Sequence, residues 1–338
     1  VLFLCGQVST KVMRPPYSSL RSRGFQEAPV EEVFKPISKY CREVHHVHAV
    51  ADALEVAILL MQQGRPGPAV LSLPLDILAA EIPETWPKTL GPVTDNAWRT
   101  PDVTDCIRAW GQAQRPVIIA GGGTLKCAAE LRSLAEHFAT PVFPTWNAIE
   151  VAPDDWPFFG GRIGTYGGKS FNKTVQQADF ALVLGCRLSG RITGGNTQSF
   201  LHGARVAHGI WHVDVDKGVL VAMEPDVPGR FQIHAYAKTF ISAVEASKVR
   251  GSFAYSRPEW LANVRQCRDV HDPVALHKAT KTEGVNPYSF VRALSGLADK
   301  DAIVVSDCGG NAVIFHQAWE AKLGQRCISN HGHSPMGG

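Results

Sequence analysis

Apolar residues in this chain fall into short runs that end at glycine, separated by stretches of helical period. The clearest case is RPVIIAGGGT at 115–124. Residues 117–120 are all apolar and run into Gly121, Gly122 and Gly123, and an amphipathic helical pattern follows over 128–138. Such a run predicts a buried parallel strand turning into a helix. Further strands are predicted at 1–6, near 34–37, and at 69–73, 141–144, 180–185, 210–216, 302–306 and 326–329. Helices are predicted near 103–112, over 50–63 with Gly64 past the end, over 288–297 with Pro287 at the first position, and over 312–321. Strands alternating with helices imply parallel sheets.

The stretches without period divide the chain. Residues 14–24 read as an ordered loop, 84–101 as a proline- and threonine-bearing linker, and 249–283 as a helical connection around Trp260. GGRIGTYGG at 160–168 carries too much glycine for a packed element, and suits a loop passing close to a flat ligand or another backbone. The expected fold class is α/β with three doubly wound parallel-sheet domains. The first and last are truncated and the central, Rossmann-like one is complete. The boundaries are 1–83, a linker at 84–99, 100–248, a connection at 249–285, and 286–338. Val1 opens inside a strand pattern and Gly338 closes inside a glycine turn, so a fragment of a longer protein is expected.

Composition narrows the function classes. A formal charge of +3 over 338 residues, with no concentrated basic run, argues against nucleic acid, and no apolar run is long enough for a membrane span. The eight cysteines are scattered without a CxxC pair, which signals neither a zinc site nor a disulfide framework and fits a reducing, cytoplasmic location. His45, His46 and His48 sit close together, but no carboxylate pair stands at useful spacing, so a polar strand or surface loop is expected.

Candidate binding residues lie where strands end. Arg187 and Arg191 follow the 180–185 strand, at the edge where doubly wound sheets take ligands, and Asp214 ends another strand there. A carboxylate so placed takes a ribose hydroxyl, caps a helix or forms a loop salt bridge. The turn at 121–123 is either an anion site at a helix start or only a tight strand-to-helix turn, and the glycines after Ser306 would suit a phosphate.

Several of these stretches come together in one pattern: Gly6-Gln7-Val8, GFQEAP at 24–29, GRPGP at 64–68, GCRLSGRITG at 185–194, VDVD at 213–216, DCGGN at 307–311 and GHSPMGG at 332–338. In this order and spacing they resemble the thiamine-diphosphate-dependent enzymes, and FQEAP with the arginine run leans towards the acetolactate-synthase branch. The resemblance implies a pyrimidine-binding domain whose second half is 1–83, a central FAD/ADP-type domain at 100–248, and the opening of a diphosphate-binding domain at 286–338. The activating Glu and the GDG…N metal-holding motif expected of the family are not in this sequence. The fragment alone is therefore expected to be inactive, with no metal ligand of its own.

The implied activity is decarboxylation or carboligation of a 2-oxo acid with thiamine diphosphate and Mg2+. The protein's task is orientation and electrostatics. By resemblance, Phe25 and Gln26 line the substrate channel, Gly309, Gly310 and Asn311 contact the diphosphate, and Met336 stands beside the aminopyrimidine. Arg65, Gly121, Gly122, Gly164, Arg187, Arg191 and Asp214 match an FAD pattern. Ser189 and Gly190 stand where acidic residues are expected, however, Tyr236 replaces an aspartate, and Leu75 replaces a lysine. FAD is therefore left open. So are a flavin-dependent 2-oxo acid oxidase, a simple decarboxylase and a non-catalytic nucleotide-binding homologue. A homodimer or homotetramer is implied, since the family site joins two subunits.

Overall fold

The computed structural model describes residues 1–15, 18–82, 99–222, 229–247, 255–270, 272–278, 284–330, 332 and 336–337. Contacts gather the chain into two units, Val1–Ala97 and Trp98–Gly338. Most of the expected linker lies outside the described residues.

The first unit holds a parallel sheet of β1 (Leu2–Gln7), β2 (Tyr40–Glu43) and β3 (Ala69–Pro74), in the order β1-β3-β2. β3 is buried along its length, as its unbroken apolar run requires, and its one polar side chain, Ser72, donates to Glu43 Oε2 at 3.1 Å. The helix Ala49–Gln62 lays Ala53 and Ala57 on this sheet against Val44 and Leu71. The strand expected near 34–37 is not there. Val30–Phe34 is an α-helix, Lys35–Ile37 a 3-10 turn, and the strand begins at Tyr40. Val30, Val33, Phe34 and Ile37 repeat at helical spacing, Glu31 and Glu32 favour a helix start, and Pro36 has no N–H to give a ladder.

The second unit is built on five parallel strands: β4 (Pro116–Ala120), β5 (Val142–Pro144), β6 (Phe180–Leu184), β7 (Ile210–Asp214) and β8 (Arg230–His234). Their order is β5-β4-β6-β7-β8. The chain therefore winds one way from β4 to β5 and the other way through β6, so the switch point lies between β4 and β6. Thr104–Gln112, Ala128–His137 and Ala237–Ala246 cover one face around Trp110, Phe138, Phe180 and Phe240. Lys169–Gln177, His202–Val206 and Pro258–Val270 cover the other around Val117, Val183 and Trp260. Arg257 locks the expected helical connection in place. Its buried guanidinium donates to the Ala113 and Trp110 carbonyls, both at 2.8 Å, and to the Phe138 carbonyl, satisfying the carboxyl ends of two helices.

Past the connection, β9 (Ile303–Ser306) and β10 (Arg326–Ser329) pair in parallel. Asn286 caps the helix Pro287–Leu297 by accepting from the Tyr288 and Ser289 N–H groups at 3.0 and 3.1 Å. The expected buried strand here is only half-buried. Phe315 and Trp319 pack with Cys327 on one face of the pair, while Ile303 and Val305 are 68% and 63% exposed. The expected helix 312–321 is Gly310–Ala318. No described helix is long and apolar enough to cross a membrane, and no described group of three or more His, Cys, Asp or Glu could hold a metal ion.

Candidate functional sites at the carboxyl strand ends

In the first unit the GFQEAP loop is held by two polar side chains. Gln7, at the end of β1, donates through Nε2 to the Ala28 carbonyl at 2.7 Å and to Glu43 at 3.1 Å. Glu27 gathers the N–H groups of Arg14, Arg23 and Gly24 within 2.6–2.8 Å. Partial burial of the Glu27 carboxyl opposes ionisation, but these donors hold it below the usual carboxylate range. The loop so fixed presents Phe25, 88% exposed, and Gln26, whose φ of 67° is left-handed and strained for a residue with a Cβ. Arg65 is exposed in the turn after the helix Ala49–Gln62.

At the switch point of the five-stranded sheet, three glycine-bearing loops converge. Gly121 follows β4 and Gly185 follows β6. The Gly121 N–H reaches the Leu184 carbonyl at 3.0 Å and the Gly123 N–H the Gly185 carbonyl at 3.1 Å. A methyl carbon on Gly121 would overlap the Gly185 oxygen and lie 2.5 Å from Cys186 Cα. The two turns thus close on each other, and Gly121 and Gly123 serve backbone packing, the tight-turn alternative weighed for them. Gly122 is exposed. The third loop contains Gly164, with φ of 108°. Asn172 pins it by a two-way amide pair at 2.9 Å, and Thr165 donates to the Arg191 carbonyl at 2.8 Å.

Arg187 is exposed on the rim formed by these loops. Arg191 turns onto Tyr166, with Nη1 3.0 Å from the hydroxyl and the guanidinium 5.5 Å from the ring centre. Asp214 is buried and accepts from the Asp216 N–H at 2.9 Å, while Asp216 itself accepts from the Gly218 N–H at 2.8 Å. Asp216 thus caps the helix Lys217–Ala222, and Asp214 braces the turn that leads into it. A cleft of about 860 Å3 lies at the opposite edge, lined by Gln114, Arg115, Gln177, Arg257 and Trp260. Arg257 there is fully engaged with helix-end carbonyls. The carboxyl edge, not this cleft, carries the loops suited to a ligand.

Beside the switch point, His212 is wholly buried on β7, between the Cys186 carbonyl at 2.8 Å and Arg230 at 3.1 Å. Burial is the main cause that lowers its pKa from the ordinary 6.5 to about 4. The Cys186 carbonyl opposes this shift and the Arg230 charge adds to it. The unfolded chain therefore binds this proton more readily than the folded one between pH 4 and 6.5. Stability should be full above pH 6.5 and fall by about 3 kcal/mol as the pH drops to 4. Urea denaturation of His212→Gln across that range should show a flatter dependence than wild type; identical slopes would show that His212 does not contribute.

In the last stretch, Gly309 (φ 73°) ends the turn after β9 and caps the nine-residue helix Gly310–Ala318. A Cβ built on Gly309 or Gly310 meets nothing within 4 Å. The preceding Asp307 accepts from the Cys308 N–H at 2.7 Å and from the Gly337 N–H at 3.1 Å. These donors, Cys308 foremost, hold its carboxyl below the usual range. Two glycine motifs thirty residues apart thus meet beside a helix start. Asn311 is exposed there, and so is Met336 at 89%. The other residues of the final motif lie partly outside the described ones.

Residues 103–244 match the thiamine pyrophosphate enzyme central domain family. Along almost its whole length the chain is similar to acetolactate synthases. It is 28% identical to the isozyme 1 large subunit of Escherichia coli (strain K12), covering 95% of this chain and 55% of the relative. It is 25% identical to a probable large subunit of Methanocaldococcus jannaschii, covering 100% and 56%. The central stretch thus matches a thiamine pyrophosphate enzyme domain, and the chain as a whole is similar to acetolactate synthase large subunits. It is also 30% identical to a glyoxylate carboligase of Escherichia coli O157:H7 over 74% of its length and 42% of the relative. The chain spans about half the length of the curated relatives it matches.

The turn at 307–311 leaves room for an anionic group such as a diphosphate. Its glycines face open space, where a phosphate oxygen can approach backbone N–H groups at a helix start. Three residues that matter to the architecture were not singled out from sequence: Glu27, His212 and Tyr166. The first was signalled by its place inside GFQEAP and the last by its place among glycines. A buried strand histidine carries no such signal.

Proposed function

We propose that this chain supplies the substrate loop, the central domain and the diphosphate turn of a thiamine-diphosphate-dependent enzyme acting on 2-oxo acids by carboligation, as acetolactate synthase does. In this reading the parts are 1–83, 100–248 and 286–338, joined by 84–99 and 249–285. The observation that carries it is Asp307, which draws the Gly337 turn against the open Gly309–Gly310 turn. Thiamine diphosphate with Mg2+, when bound, would supply carbanion chemistry towards a 2-oxo acid. Gly309 and Gly310 would hold phosphate oxygens, with Asn311 beside them, and Met336 would face the aminopyrimidine. Phe25 would wall the channel, and the Gln26 amide would hydrogen-bond a substrate carboxylate. We further assign the switch-point rim to FAD or another nucleoside diphosphate, with Arg187 towards the phosphates. The protein is read as cytoplasmic and at least dimeric, which sedimentation of the active form should show.

The test is saturable quenching of tryptophan fluorescence by thiamine diphosphate with Mg2+, in the longest form of the protein its gene encodes. It should be followed by cofactor-dependent CO2 release from a 2-oxo acid in the same form. Absence of cofactor binding would overturn the reading, and oxygen-dependent peroxide would move it to an oxidase. For the rim, Arg187→Ala should weaken flavin or ADP binding by about 1.5–3 kcal/mol, the range for a hydrogen bond to a charged group. Unchanged flavin content in the purified variant would make Arg187 structural.

A further inference from the structure

The backbone that carries Arg187 follows a constrained path. Gly185 has φ of 56°, and three residues later Leu188 has φ of 48°, a left-handed conformation that disfavours any side chain with a Cβ. Leu188 is only 3% exposed, and its N–H lies 3.4 Å from Cys186 Sγ, so this path is packed rather than loose. Such a conformation persists only where surrounding groups over-determine it.

A buried side chain on the neighbouring strand reaches this path. His212 Nε2 is 2.8 Å from the Cys186 carbonyl, and its Nδ1 is 3.1 Å from Arg230 Nη2. An arginine can only donate, so Nδ1 accepts, and the ring proton sits on Nε2, pointing at the carbonyl. Arg230 is itself anchored through a 2.7 Å bond from Nη2 to the Leu220 carbonyl. A line of hydrogen bonds thus runs across β8, β7 and the end of β6, and stops one residue short of Arg187.

We infer that His212 is a positioning residue which, by holding the Cys186 carbonyl, sets the strained turn that presents Arg187 to the phosphates of a nucleoside diphosphate at the switch point. This rests on the reading of the rim as a nucleotide site. His212 is fully buried and touches no ligand; it acts through the turn alone.

ADP is the probe, used on the chain with and without His212→Phe, His212→Gln, Arg187→Ala and the Phe–Ala double variant. Affinity is measured per folded molecule, beside amide hydrogen exchange of residues 186–189 without ligand. His212→Phe should raise exchange in that segment and weaken ADP tenfold or more. His212→Gln, whose amide can still donate to the carbonyl, should recover most of both. The double variant should bind no more weakly than Arg187→Ala alone. Unchanged exchange in His212→Phe, or wild-type ADP affinity with raised exchange, would overturn the inference, as would independent losses in the double variant. If wild type binds neither ADP nor FAD while exchange responds to His212, the nucleotide reading of the rim fails, and the ligand part of this inference with it. Should His212→Phe not fold, His212→Asn, too short to reach the carbonyl, carries the same comparison.

Discussion

A single methyl group at Gly121 should destabilise the central domain by about 3 kcal/mol or more, the upper range for overpacking a rigid interior. Gly121 is buried where β4 turns, and its added Cβ would overlap the Gly185 carbonyl oxygen and lie 2.5 and 2.6 Å from Cys186 Cα and Cβ. The obstacle is backbone at the end of the neighbouring strand, which cannot swing aside as a flexible side chain could. Relief would require parting β4 from β6, whose pairing runs from Pro116↔Phe180 to Ala120↔Leu184 in the middle of the sheet. Gly185→Ala should be comparably harmful. Its Cβ would meet Gly123 Cα at 2.7 Å, and its φ of 56° adds about 1 kcal/mol of strain. The control is Gly190→Ala. That glycine lies nearby on the same rim but has no neighbour closer than 4.0 Å to the new carbon, and the change should stay within about 0.5 kcal/mol. Thermal and urea melts of the three variants decide the matter. A Gly121→Ala chain that melts with wild type would mean that these turns do not close as described.

The same turns show what the sequence could and could not reveal. Apolar runs ending in glycine marked the buried strands because hydrophobic period and turn chemistry are local. That is why β4, β6 and β7 could be read to within two residues at either end. The segment 34–37 reads as a strand because Phe34 and Ile37 look like strand residues singly, whereas the helical spacing of Val30, Val33, Phe34 and Ile37 and the proline at 36 make a helix and turn. The exposure of Ile303 and Val305 was hidden for a different reason. How many strands flank a run is a property of the whole sheet, and here, among the described residues, one partner lies beside it. The motifs showed which loops matter, but not what each glycine does. Gly121 and Gly310 look alike in sequence, each following an apolar run and preceding a helix. One is filled by a neighbouring backbone and the other faces open space. The side chains that hold the loops, Gln7, Glu27, His212 and Asp307, act on residues up to thirty-six, thirteen, twenty-six and thirty positions away, beyond any local pattern.

That difference makes Gly310→Val the decisive experiment on the diphosphate turn. At Gly121 a side chain should unfold the domain; at Gly310 it should leave the fold intact and remove the ligand. Gly310 opens the helix Gly310–Ala318 without a left-handed φ, and its Cβ would touch nothing within 4 Å. Valine is moreover a slightly better helix former than glycine, by a few tenths of a kcal/mol. Gly309 is the poorer test, since its φ of 73° means that any side chain there strains the backbone whether or not a ligand binds. If phosphate oxygens approach these N–H groups, the two methyls of valine occupy the space they need. Thiamine diphosphate affinity should then fall at least a hundredfold, about 3 kcal/mol. Titration by fluorescence quenching in the presence of Mg2+, on the longest form of the protein its gene encodes with and without the substitution, beside melting curves of both, separates a lost site from a lost fold. A variant with the wild-type melting temperature and no measurable binding places the diphosphate at this turn. A variant that binds as wild type shows that the open space beside Gly310 holds no cofactor, and the assignment of Gly309, Gly310 and Asn311 would have to be abandoned.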